Sequence, residues 1–242
     1  MQIEIFGVPM EFERKKIRTL RLTVRRDGSV RLSAPYGLPA AQIDRFVADK
    51  LDWIEKQQKR FRALPAPCEP SYTSGETLWV FGKPYRLLLE EKGNRYALSL
   101  DEESGTARLS ARAGSTPEGR KRFVREWYRE RLSAEIEALL PKWETRTGLS
   151  PACWQIKDMR TRWGTCNMRT RKLWFSLRLC ERPTDALEYI ILHELCHLRV
   201  PNHGRDFVAL MDTHMPSWRE VRARLNEELP RYDTTEKAEE RT

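Results

Sequence analysis

The sequence predicts an α+β protein, a β-rich N-terminal part with one amphipathic helix followed by a helical C-terminal part that carries the chemistry. Three observations lead there. Apolar and polar residues alternate in short runs between Leu20 and Ala111, as half-buried strands require. Apolar residues recur at helical spacing over about 40–62 and 116–147. A third helical pattern, after Pro183-Thr184-Asp185, contains His193-Glu194-Leu195-Cys196-His197.

Taken in order, Leu20, Leu22 and Val24 alternate up to Asp27-Gly28, and Val30, Leu32 and Ala34 resume beyond it, which is the pattern of a hairpin closed by a tight turn. Ile43, Phe46, Val47, Leu51 and Ile54 predict one helix over about 40–62, and Pro65, Pro67 and Pro70 mark an irregular connector. Four runs, Leu78 to Phe81, Tyr85 to Leu89, Tyr96 to Leu100 and Ala107 to Ala111, predict an antiparallel sheet. A long helix over 116–147 follows, with Pro141 expected to bend or interrupt it. Trp154 to Met159 and Leu173 to Leu179 read as strands leading into the histidine helix, and a last helix starts near Pro216. The division expected is 1–115 β-rich, 116–231 catalytic and 232–242 a polar tail, with no internal repeat.

Chemistry concentrates in one segment. The chain has four histidines, and His193, His197 and His203 fall within eleven positions. Residues four apart on a helix share a face, so the imidazoles of His193 and His197 converge on one point. Glu194, one step round, is placed to take a proton rather than to be a ligand. Pro201 cannot continue a helix, which lets the chain fold back and bring in His203. Three imidazoles with an open fourth position suit a catalytic zinc site, and Zn2+ is the expected cofactor. Glu220 and Asp206 are the fallback third ligands, and Arg205 and His214 are candidate oxyanion donors. Lys172 to Leu179 is a candidate edge strand for an extended peptide.

Composition narrows the class further. With 40% hydrophobic and 33% charged residues the chain is expected to fold, and it has no run of roughly twenty apolar residues able to span a bilayer. Met1 to Met10 lacks a secretory pattern, and the five scattered cysteines form no Cys-x-x-Cys pair, so a cytoplasmic location with reduced thiols is expected. The net charge of +9 leaves nucleic acid open as a partner. One basic concentration spans Arg14 to Arg26 and another Arg160 to Arg178. Oligomeric state is not legible.

Arg162-Trp163-Gly164-Thr165-Cys166, His193 to His197, Asn202-His203 with Phe207, and Pro216 with Trp218 together resemble the YgjP-like metallopeptidases, relatives of the SprT-type proteases within the zincins. The resemblance covers most of the chain. Thr165 stands where family members usually have Ser and keeps a hydroxyl; Val208 stands where many have Trp. The resemblance implies a zinc-dependent peptidase acting on proteins or peptides, with zinc on His193, His197 and His203 and the proton handled by Glu194. Its relatives suggest an alternative, a nucleic-acid-associated zinc protein or a protease acting on DNA-bound proteins. The His193-to-His203 spacing also equals that of metzincins, but Val200 replaces their glycine, and that class is not assigned. Within Trp163-Gly164-Thr165-Cys166 a structural turn is expected, Gly164 permitting an unusual backbone and Trp163 packing beneath the histidine helix; Cys196 is expected to be a small buried side chain.

Overall fold

The computed structural model describes residues 1–225 except 26, 63–69 and 160; the tail 232–242, Pro65, Pro67 and Cys68 lie outside the described residues. The chain forms two compact units, Met1–Glu69 and Pro70 onward.

In the first unit, strands β1 (Gln2–Ile5), β2 (Val8–Lys15), β3 (Arg21–Val24) and β4 (Val30–Pro35) form a sheet in the order β1-β2-β4-β3. The hairpin expected around Asp27-Gly28 is β3–β4. Its connection is longer than two residues: β3 ends at Val24 and β4 starts at Val30, among the described residues between them only Gly28 takes positive φ, and Arg25 N–H donates to the Ser29 carbonyl. The single helix expected over 40–62 is two, α1 (Ala40–Ala48) and α2 (Leu51–Arg62). Lys50 N–H bonds back three residues to Val47, closing α1 with a tighter turn, and Ile54 N–H opens the next ladder on the Lys50 carbonyl. Ile43, Val47 and Ile54 of these helices bury against Met10, Val30, Leu32 and Ala34 of the sheet.

The second unit opens with β5 (Thr77–Val80), β6 (Lys83–Glu90), β7 (Ala97–Asp101) and β8 (Thr106–Ser110), close to the four predicted strands. The sheet is mixed rather than antiparallel, since β6 and β8 run parallel at its centre. Helix α3 (Pro117–Thr147) begins at Thr116, whose hydroxyl caps Gly119 N–H, continues through Pro141, and ends on Gly148 at φ 67°. Val124, Leu132, Ile136 and Trp143 on α3 share one core with Leu78, Leu87 and Leu109 of the sheet and with the histidine helix. That shared core is why the units divide at Glu69 rather than at the expected boundary near Ser115.

Strands β9 (Cys153–Lys157), β10 (Gly164–Asn167) and β11 (Lys172–Ser176) form the third sheet, in the order β10-β11-β9. The segment expected to be an edge strand is therefore the central strand β11, paired on both sides; the unforeseen β10 is the edge. A 3-10 helix, Leu177–Glu181, leads into α4 (Thr184–Cys196), and α5 (Arg205–His214) and α6 (Trp218–Leu225) complete the described fold.

The three sheets repeat one plan, although no repeat was expected. A strand pairs in parallel with the second arm of a hairpin, and a helix follows: β2, β3–β4, α1; β6, β7–β8, α3; β9, β10–β11, α4. The first two copies also share a leading strand joined through Phe6-Gly7 and Phe81-Gly82, both pairs at positive φ and each followed one residue later by proline. Arg31-Leu32-Ser33-Ala34 reappears as Arg108-Leu109-Ser110-Ala111, and Arg45-Phe46-Val47 as Arg122-Phe123-Val124. Two residues before the buried start of the last strand, Gly28, Gly105 and Arg171 all take positive φ. The parallel register slides by two residues in the second copy, which keeps each side chain on its own face.

Candidate metal centre and active site

Helix α4 buries nearly all its apolar residues in the core of the second unit, and its last turn carries both motif histidines. It ends at Cys196 with His197 as its cap, four residues before Pro201. The chain then turns through 198–204 and returns as α5, which places His203 over the end of α4. The three predicted ligands meet: Nε2 of His197 lies 3.2 Å from that of His193 and 3.1 Å from that of His203, and the His193–His203 distance is 3.1 Å.

Such a triangle is not a hydrogen-bond network. Each Nε2 carries at most one proton, so three mutual contacts cannot all be satisfied. At His197 the tautomer follows from its partner: Nδ1 faces the Val200 carbonyl at 3.0 Å, a carbonyl only accepts, and Nε2 is left with a bare lone pair. Tetrahedral zinc held at about 2.0–2.1 Å by imidazoles requires nitrogen separations of about 3.3 Å, close to those seen. The residues present therefore fit a metal ion, and this is the one such group among the described residues. Neither Asp206 nor Glu220 joins it, and His214, at the end of α5, stands outside it.

Electrostatics agree with that use. Burial, then the neighbouring His197 and His203, push His193 down to about 3, and burial lowers His197 as well. Both rings stay neutral at ordinary pH, as metal ligation requires. Glu194 is 4% exposed, and burial pushes its carboxyl up to about 8 against the opposing pull of Arg162. A cation placed beside it would draw that value back down.

Sequence reasoning missed the supports. The Phe207 ring, fully buried, lies with its centroid 4.7–4.9 Å from all three imidazoles and forms their floor. Tyr189, one turn before His193, sets its hydroxyl 3.5 Å from His193 Nδ1 and stacks on Trp218, whose indole N–H donates to Asp212. Spacing of four from His193 was a usable signal for Tyr189; nothing local marked Phe207 as touching every ligand. Gly164 on β10 does not take positive φ, so the unusual backbone expected there is absent. It lies instead against Glu194: a Cβ on Gly164 would stand 2.5 Å from Oε1 and 2.8 Å from Cγ. Trp163 is half-buried at the edge of the core, with the Arg178 and Arg182 guanidinium groups 4.6 and 5.2 Å from its ring centroid. Cys196 is buried, and burial pushes its thiol, like that of Cys166, up to about 11, the wrong direction for a thiolate ligand.

A histidine pair at the end of a buried helix, closed by a third from the following loop, is a group that could hold a metal ion, as a metal-dependent hydrolase requires. Residues 18–228 match the YgjP-like metallopeptidase domain, and the chain belongs to that family. No curated protein matches the chain. Among solved structures, the metallopeptidase zymogens abylysin of Pyrococcus abyssi and jannalysin of Methanocaldococcus jannaschii are similar over 37% of this chain. They are 18% and 21% identical, are covered over 90% and 92% of their own lengths, and superpose at TM-scores of 0.35 and 0.34, too slight a likeness to speak to fold or chemistry.

Proposed function

We propose that this metallopeptidase is a zinc enzyme, with His193, His197 and His203 as its protein ligands and Glu194 as the group that takes and returns the proton. The Nε2 triangle carries this reading. Zinc bound there supplies a Lewis acid and a water acidified to a pKa near about 7. Glu194 then receives a proton at its carboxylate and delivers it to the departing amide nitrogen, which would otherwise leave as an unstable anion. Burial favours the protonated carboxyl and a bound cation would favour the carboxylate, and these opposed pulls suit a group that takes a proton and gives it back. Phe207 and Tyr189 hold the imidazoles in place, and such supports commonly account for 10–100-fold in metal affinity.

Edge strand β10 runs beside Glu194, and an extended substrate backbone added to that edge would lie along the centre with little demand on sequence. No described helix is long and apolar enough to cross a membrane, and Cys153, Cys166, Cys180 and Cys196 are free thiols, which supports a reducing, cytoplasmic setting. Quenched fluorescein-casein is the test substrate. The zinc-loaded protein should cleave it, and Glu194→Gln should keep zinc while losing turnover; equal cleavage by both would refute the role given to Glu194.

A second reading, binding of a polyanion such as nucleic acid, rests on one observation. The first unit holds 14 basic against 9 acidic residues, a larger share of the excess charge than its length warrants. Phosphate contacts would make affinity fall steeply with salt. Binding to a DNA or RNA oligonucleotide that is absent, or indifferent to ionic strength, removes this reading.

A further inference from the structure

The threefold plan shows what distinguishes the copy with chemistry from the copies without it. The hairpins of all three align by their own registers. Leu22 pairs with Leu32 in the first copy, Leu98 with Leu109 in the second, and Gly164 with Phe175 in the third. At this one hairpin position the structural copies carry leucine and the third carries nothing beyond its backbone. Helix length makes no such distinction, because α1 stops at Ala48 while α3 of the second copy runs 31 residues; in the third copy the part of α4 beyond the length of α1 carries His193 and Glu194. The space a leucine would fill is where the Glu194 side chain lies, with Oε1, Cγ and Cδ at 2.5, 2.8 and 2.9 Å from an ideal Cβ on Gly164.

Backbone freedom does not explain this glycine, because Gly164 sits in a strand without positive φ. Room does. We infer that Gly164 is a positioning residue: it clears the repeat's own side chain from beneath the carboxylate, so that Glu194 stands at the metal centre instead of being driven out of place. This inference rests on the role proposed for Glu194. A methyl group at 164 meets side-chain atoms of Glu194 rather than rigid backbone, so the fold can accept it; but Glu194 is almost fully buried, and with Cγ as well as Oε1 in the way it can yield only by turning the side chain and carrying its carboxylate with it. Misplacement of a catalytic group by about 1 Å costs on the order of 10²-fold in rate.

The test compares zinc-loaded wild type with Gly164→Ala. Zinc affinity, read by competition with a chelating dye, should stay within about threefold, because the atoms nearest the new methyl all belong to Glu194. With fluorescein-casein, kcat should fall by about 10²-fold at little-changed KM. Crystal structures of both zinc-loaded proteins should show the Glu194 carboxylate displaced in the variant, a readout that stands even if casein is not a substrate. An undisplaced carboxylate, an unchanged kcat where wild type is active, or a loss of zinc affinity parallel to the loss of rate would each overturn the inference. Should Gly164→Ala fail to fold, Gly164→Ala with Glu194→Ala removes the collision and should fold; failure of that double variant would also overturn it.

Discussion

The first and third copies of the repeated plan make an instructive pair. Both pair the strand before the hairpin in parallel with the hairpin's second arm, Met10 opposite Val30 in the one and Trp154 opposite Leu173 in the other. In both, the hairpin's last strand buries alternate residues under a helix. On the outer face the first copy ties its strands with charge, Arg31 to Glu13 at 2.8 Å, while the third sets Lys157 over the Trp174 ring at 4.6 Å. Polar ties of that kind are weak at a solvated surface and interchangeable. Under the helix the copies diverge in a way that is not interchangeable, leucine against glycine in the hairpin and a stopped helix against a longer one. On the reading proposed, the catalytic group uses a length of helix that α1 lacks and a cleared space, on a scaffold the chain also uses for structure.

The largest break of this comparison is to return the third copy to a metal-free state. His197→Ala should lower zinc affinity by about two to three orders of magnitude, measured by dye competition, because it removes one of three ligands. Next, Glu194→Gln should leave that affinity in place and lower casein turnover by about 10²–10⁴-fold. Phe207→Ala tests the floor. It should destabilise the protein by about 3–5 kcal/mol in denaturant unfolding and weaken zinc binding about 10–100-fold, since the same ring fills the core and backs all three imidazoles.

Two pH effects of opposite sign should appear in the metal-free protein. Burial raises the Glu194 carboxyl to about 8, so the folded state keeps a proton that the unfolded chain releases near the ordinary value of 4.5. Stability from this group is full below that value and is lost as pH rises through the interval to 8. His193 is pushed down to about 3 from 6.5, so the unfolded chain takes up a proton first, and stability is lost as pH falls from 6.5 towards 3. Scanning thermal unfolding against pH should therefore find wild type losing ground to Glu194→Gln between pH 5 and 8; parallel curves would contradict the buried, protonated carboxyl. The smallest effect compares the two leading turns. Gly7→Ala and Gly82→Ala both force alanine into positive φ, at about 1–2 kcal/mol. Gly82→Ala should be the worse, because its new methyl meets Pro183 at 2.7 Å, while nothing lies within 4 Å at Gly7.

The meeting of His193, His197 and His203 was legible because the signals that fold that segment are local. A four-residue spacing on an apolar helix and a proline break beyond it are enough to gather His193, His197 and His203. The long helix and the second sheet were legible for the same reason, through periodicity in Val124 to Trp143 and in Leu78 to Leu109. What escaped was set by tertiary contact. The leading strand β1, Gln2-Ile3-Glu4-Ile5, alternates over only four residues, too short a run to announce itself, and β10 carries Gly164 and Asn167 with no alternation at all. The repeat escaped because what its copies share is pairing and helix burial. Identities survive only in short stretches, as at Phe6-Gly7 and Phe81-Gly82 or Arg31 to Ala34 and Arg108 to Ala111, too short to announce a repeat. Gly164 was read as a backbone device because a sequence cannot say which side chain will lie against it.

Anomalous diffraction at the zinc absorption edge, from crystals of the zinc-loaded protein, tests the central claim most directly. The account predicts a single strong peak equidistant from Nε2 of His193, His197 and His203, with the Glu194 carboxylate beside it and no fourth protein ligand. A peak elsewhere, or one closed off by a fourth side chain, would contradict it.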